Sequence, residues 1–128
     1  MGLDNGIRLM MTEAEAKKNG CPFIGSDIES FTEICYWRKC YGLRDLIIKN
    51  LQLSNDRVTY TLFYKDVNTI IDILISLVQS EDDWKYADSI WEYDEYLTNM
   101  CNCILRLKWL KEYWKTHPGI QVIFYDSY

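Results

Sequence analysis

Apolar and polar positions divide this chain into a short series of elements. Ile7-Arg8-Leu9-Met10 alternates after the turn tripeptide Asp4-Asn5-Gly6, which predicts a short strand within Leu3 to Met11. Thr12 then opens a stretch with Glu15 in the capping-box position, Lys17 and Lys18 in the last turn and Gly20 as the stop. That stretch reads as a short helix or an ordered excursion, and Cys21 to Ser26, with Pro22 and Gly25, as a loop. From Ser30 to Gln52, Phe31, Ile34, Trp37, Tyr41, Ile48 and Leu51 recur at spacings of three, four and seven, which predicts one long helix with a buried stripe. Gly42 interrupts that stripe at a cost of about 1 kcal/mol relative to Ala, either to admit another backbone or to soften the helix.

Ser54-Asn55-Asp56 is a turn, and Arg57 to Phe63 alternates as a half-buried strand with Val58, Tyr60 and Leu62 on one face. Asp66 can cap the next helix, whose stripe is Val67, Ile70, Ile71, Leu74, Leu77 and Val78. Glu81-Asp82-Asp83 opposes the dipole at the end of such a helix, so a solvated loop is expected there. Lys85 to Trp91 suits either a loop packed on the core or a short strand. From about Tyr93 to Thr116 runs the longest helical pattern, with Asp94 and Glu95 opening it, Lys108, Lys111 and Lys115 closing it, and Pro118-Gly119 beyond it. Ile120 to Tyr125 is a final strand. The order predicts a single α+β domain spanning residues 1–128, a small antiparallel or mixed sheet packed against three main helices.

Composition narrows the function more than the fold. A net charge of −5 with 26% charged residues describes an ordinary acidic domain and argues against non-specific nucleic-acid binding. Ten Tyr and five Trp exceed what a core needs, and such amphipathic rings are favoured binding anchors. The five cysteines, Cys21, Cys35, Cys40, Cys101 and Cys103, show no C-x-x-C spacing and have one histidine, His117, to help them. Reduced, mostly buried thiols are therefore expected, with no metal and no cofactor. Cys101 and Cys103 would point about 200° apart on a helix and so could not easily bridge. The first residues carry no basic leader with a long apolar run, and Gly6 occupies the place where a myristoylation signal wants Ser or Thr, so no membrane association is expected.

Candidate chemistry gathers at three places. Tyr36, Trp37, Arg38 and Lys39 put two aromatics before two cations, so Trp37 can face the core while Arg38 and Lys39 leave on the opposite flank. Arg38 and Lys39 are either solvated charge or part of an anion cradle in which Tyr36 or Tyr41 stacks on a base while Arg38, Lys39 and Arg44 grip phosphate. Arg106, Lys108, Lys111 and Lys115 form a basic strip that complements the helix dipole or tracks phosphate. Glu81 to Tyr96 is acidic and aromatic, either a solvated loop or a surface imitating a phosphate backbone with Trp84, Tyr86 and Trp91 as anchors. No glycine-rich phosphate loop and no His-assisted nucleophile appears, and His117 lacks an orienting partner in the pattern.

Met1-Gly2-Leu3-Asp4, then Tyr36-Trp37-Arg38-Lys39, then Asn50-Leu51-Gln52, then Trp91-Glu92-Tyr93-Asp94-Glu95-Tyr96 occur in that order. In this the chain resembles a family of small proteins encoded by tailed phages and prophages, which begin Met-Gly-Leu-Asp and carry a Tyr-Trp-Arg-Lys helix. The likeness spans most of the chain loosely and is sharp at Tyr36 to Lys39. It departs where the family has Asn and His, here Tyr41 and Arg44, which moves the segment from chemistry toward recognition. The resemblance implies a phage or prophage origin, and with neither leader nor lipidation signal expected the chain is placed in the reducing cytoplasm, here that of a bacterial host. The leading expectation is a non-enzymatic inhibitor of a host defence protein, anti-CRISPR-like or otherwise counter-defensive. A sponge for a nucleotide signal built on Tyr36 to Lys39 is the alternative, and a small hydrolytic enzyme the third; a homodimer is compatible with each.

Overall fold

The computed structural model describes residues 4–22, 30–54 and 59–127. Four strands, β1 (Asp4–Leu9), β2 (Thr32–Arg38), β3 (Thr59–Leu62) and β4 (Val122–Ser127), form one antiparallel sheet in the order β2-β1-β4-β3. Five helices accompany it among the described residues: α1 (Glu13–Lys18), α2 (Tyr41–Leu51), α3 (Tyr64–Leu77), α4 (Glu81–Ala87) and α5 (Tyr93–Thr116). The architecture is α+β, with α2, α3 and α5 the three longest helices. Met1 to Leu3 of the leading motif, residues 23–26 of the expected loop, and Asn55, Asp56, Arg57 and Val58 of the expected turn and strand lie outside the described residues.

Alternation gives each strand an inward and an outward set. Asn5, Ile7 and Leu9 of β1 stand opposite Trp37, Cys35 and Thr32 of β2 and opposite Asp126, Phe124 and Val122 of β4. The apolar members of that set join Tyr60 and Leu62 of β3 and the buried stripes of the helices in one core. Asp4, Gly6 and Arg8 point the other way, in register with Arg38, Tyr36 and Glu33 and with Ser127, Tyr125 and Ile123. Asp4-Asn5-Gly6, expected as a turn, is thus the first half of β1, and Asn5 is fully buried.

The expected helix from Ser30 to Gln52 is two elements. Thr32–Arg38 is an edge strand, Lys39 takes a left-handed conformation (φ 54°), and α2 starts at Tyr41. A register shift between Ile7 and Arg8 places Ile34 as an extra residue in β2, so Ile34 and Cys35 are both buried although adjacent. Trp37 does face the core with Arg38 exposed, but strand alternation achieves this rather than a helix. Gly42 serves a close approach: a Cβ there would fall well inside van der Waals contact of the Tyr86 carbonyl oxygen, so α2 can pack on α4.

The acidic run is also corrected. Glu81, Asp82 and Asp83 begin α4 rather than a loop, with Ser80 as N-cap accepting a bond from Asp83 N–H, and their charges favour that helix end. Lys85 to Ala87 complete α4, and Asp88 stops it in a left-handed conformation (φ 58°). Asp66 acts one turn later than a plain cap, its carboxylate accepting from Phe63 N–H at 2.8 Å while α3 begins at Tyr64. α5 has the expected bounds, and no helix among the described residues is long and apolar enough to cross a membrane.

Candidate functional site on the open sheet face

The outward face of the sheet is built around Arg8. Its guanidinium lies 4.1 Å from the centroid of the Phe31 ring and 4.0 Å from that of Tyr125, contacts in which ring faces attract the cation. Arg8 Nε donates to Glu33 Oε2 at 3.1 Å, and the Tyr125 hydroxyl donates to Glu33 Oε1. Tyr125 reaches Glu33 by passing over Gly6; its hydroxyl oxygen sits 2.9 Å from where a Cβ of residue 6 would be. Burial raises the Glu33 carboxyl above its ordinary value, and the bonds from Tyr125 and Arg8 pull only partly the other way. Burial and Glu33 together push the Tyr125 phenol up.

Apolar side chains continue this face toward one end of the sheet. Leu9 and Leu62 both register with Val122, so Met10 and Phe63, one residue beyond each, flank Gln121 on the outward side. Met10 N–H donates to Gln121 O at 2.9 Å, which holds that row together. Phe63 is 61% exposed and Met10 47%, while Ile123 and Arg8 in the next row are partly exposed. Thr59 and Thr61 of β3 are exposed beside them. An aromatic-lined cation flanked by exposed apolar groups is a surface suited to another molecule.

The residues singled out from the sequence are dispersed by the fold. Tyr36 and Arg38 do lie on this outward face, at its β2 margin, with the Tyr36 hydroxyl donating to Asp4 Oδ1 at 2.9 Å. Lys39 forms the turn into α2 and Tyr41 its partly exposed first residue. Arg44 is corrected outright: it is buried, with Nε and Nη2 both donating to the equally buried Asp126 carboxylate at 2.7–2.9 Å. A guanidinium committed to a paired carboxylate on the inward side of the sheet is not available to grip phosphate on the outward one. Beside that pair, the Asn5 amide and the Trp37 indole nitrogen are buried without a hydrogen-bond partner among the described residues.

Trp84 and Trp91 are half-buried rather than free anchors. Trp84 donates its indole N–H to the Trp91 carbonyl at 2.9 Å and packs on Tyr93 with centroids 5.6 Å apart. Tyr86 is exposed. In the basic strip, Arg106 donates to the carbonyls of Pro22 and Glu33, Lys115 pairs with Glu112 at 3.0 Å, Lys111 lies 5.9 Å from the Tyr64 ring, and Lys108 is exposed. His117 stacks on Tyr113 with centroids 4.0 Å apart. Four thiols are buried, with Cys21 and Cys40 pushed up to about 11 by burial, and Cys101 is exposed.

Arg8, Phe31, Glu33, Tyr125, Ile123, Met10 and Phe63 were not picked out by motif. Their signal was present in the last strand: Ile123 and Tyr125 occupy outward positions where a half-buried strand carries polar residues. Comparison of the chain with protein families, curated proteins and solved structures finds no match.

Proposed function

We propose that this is a non-enzymatic binding protein of phage or prophage origin that inhibits a bacterial defence system by occupying a protein partner, with the outward sheet face as its contact surface. The observation that carries the reading is the sheet's second side, where exposed Phe63 and Met10 adjoin Ile123 and the Arg8 cluster. A face that served only as a solvated surface would carry polar side chains at those positions. The phage assignment rests on the leading Met-Gly-Leu-Asp and the Tyr36 to Lys39 motif.

The test is capture of partners by the tagged chain from lysates of hosts that carry defence systems. Wild type is expected to retain one partner in stoichiometric amount, and a Phe63→Ser/Ile123→Ser variant to lose it. Failure to retain a partner across such hosts, or equal retention by the variant, overturns the reading.

A further inference from the structure

The environment of Arg8 specifies what the occupant of the outward face carries. Resting on the partner-binding reading above, we propose that Arg8 receives a carboxylate side chain of a protein partner, flanked by apolar side chains that pack on Met10, Ile123 and Phe63. Arg8 is one-third exposed, and its Nε is the edge committed to Glu33. Among the described residues the Tyr125 hydroxyl oxygen also accepts from the guanidinium, whose five N–H donors outnumber these two acceptors, which leaves donors matched to a planar oxyanion. Phe31 and Tyr125 hold its plane against two rings, so little rotamer freedom remains to be lost on binding.

The neighbours decide between a protein carboxylate and a free anion. Met10 follows Arg8 by two residues, so the apolar row starts about 7 Å along the backbone from the Arg8 position. Phe63, Met10 and Ile123 offer nothing to an isolated inorganic ion, and each offers area to side chains adjoining a carboxylate. The Glu33 carboxylate beside Arg8 also disfavours a multiply charged anion more than a singly charged one.

The probes are a capped Leu-Asp-Phe tripeptide, the matching capped Leu-Asn-Phe tripeptide and inorganic phosphate, titrated into the isotope-labelled full chain. The signals followed are the Arg8 Nε–H and the amides of Thr61 and Ile123. The aspartate peptide is expected to shift all three saturably, with an affinity about tenfold or more above that of the asparagine peptide and of phosphate. Arg8→Gln is expected to erase that preference. Equal response to the two peptides, or none, overturns the proposal, and these wild-type titrations need no variant to fold. A phosphate response matching the aspartate peptide also overturns it, as it would mark a general anion site. A captured partner lost by Phe63→Ser/Ile123→Ser but kept by Arg8→Gln leaves the face as the contact surface and removes the carboxylate assignment. Retention by both variants removes the face itself.

Discussion

The buried pair of Arg44 and Asp126 shows how one residue can change role between pattern and structure. Two charges taken out of water repay that cost only through close geometry, which the pair has, with N–O distances of 2.7–2.9 Å. Removing one partner strands the other, so Arg44→Met or Asp126→Asn is expected to destabilise by roughly 3–5 kcal/mol in urea unfolding, whereas the double change to Met and Leu recovers much of the loss. Asn5 is the opposite case, since its amide is buried without a partner among the described residues. Asn5→Leu should therefore raise stability by about 1–3 kcal/mol, read as a later unfolding midpoint at unchanged slope. Glu33 adds a pH dependence of known sign. Its folded carboxyl titrates above the ordinary value of 4.5, so the folded state binds more protons there than the unfolded one. Its contribution is fully present below pH 4.5 and declines as pH rises through the raised value. The stability of wild type relative to Glu33→Gln should fall across that window, and a flat difference would exclude the assignment.

Packing between elements depends on two glycines, and the local preference of the chain gets the sign wrong at one of them. In a helix Ala is favoured over Gly by about 1 kcal/mol, yet Gly42→Ala drives a methyl into the Tyr86 carbonyl between α2 and α4. At Gly6 the same change meets the Cys35 carbonyl and the Tyr125 hydroxyl. Each is expected to cost about 1–3 kcal/mol, against little change for Gly119→Ala, which has open space around it. Element boundaries were legible where one period ran long: α5 and the inward Tyr60 and Leu62 of β3 follow directly from the pattern, whereas the final strand, expected at Ile120 to Tyr125, runs from Val122 to Ser127. They were illegible at Ser30 to Gln52 for a definite reason. Ile34, the extra residue of the bulge, and Trp37 are both buried at a spacing of three, which with Phe31 just before the strand imitates a helix face in what is a bulged strand. The acids at Glu81 were misplaced because the same charges that would oppose one helix end favour the start of the next. The site was legible only in part: Tyr36 and Arg38 reach the outward face, whereas Arg8, Glu33 and Tyr125 meet through pairings of strands far apart in sequence, which no local pattern contains.

At the scale of the whole molecule, the sheet has two edges and treats them differently. β1 and β4 are central, so β2 and β3 are left with one side each. The β2 side is closed by α5, from which Asn99 Nδ2 donates to the Tyr36 carbonyl at 3.1 Å and Arg106 Nη1 to the Glu33 carbonyl at 3.3 Å. The bulge makes this possible, because it lets two residues three apart both turn their carbonyls outward from the sheet toward one helix. β3 has no such cover among the described residues and is protected instead by its length of four residues. A seven-residue edge without its caps is a template for another strand. Asn99→Ala, and more so Asn99→Ala with Arg106→Met, should therefore convert the chain to a form that associates with rising concentration, its weight-average mass in sedimentation equilibrium climbing toward twice the starting value. Those substitutions replace no side chain of the outward face, so the aspartate-peptide response at Arg8 should persist in the dissociated form. If the capped and uncapped chains sediment alike, the edge is held by something other than α5, and the placement of the outward face beside a guarded edge loses its explanation.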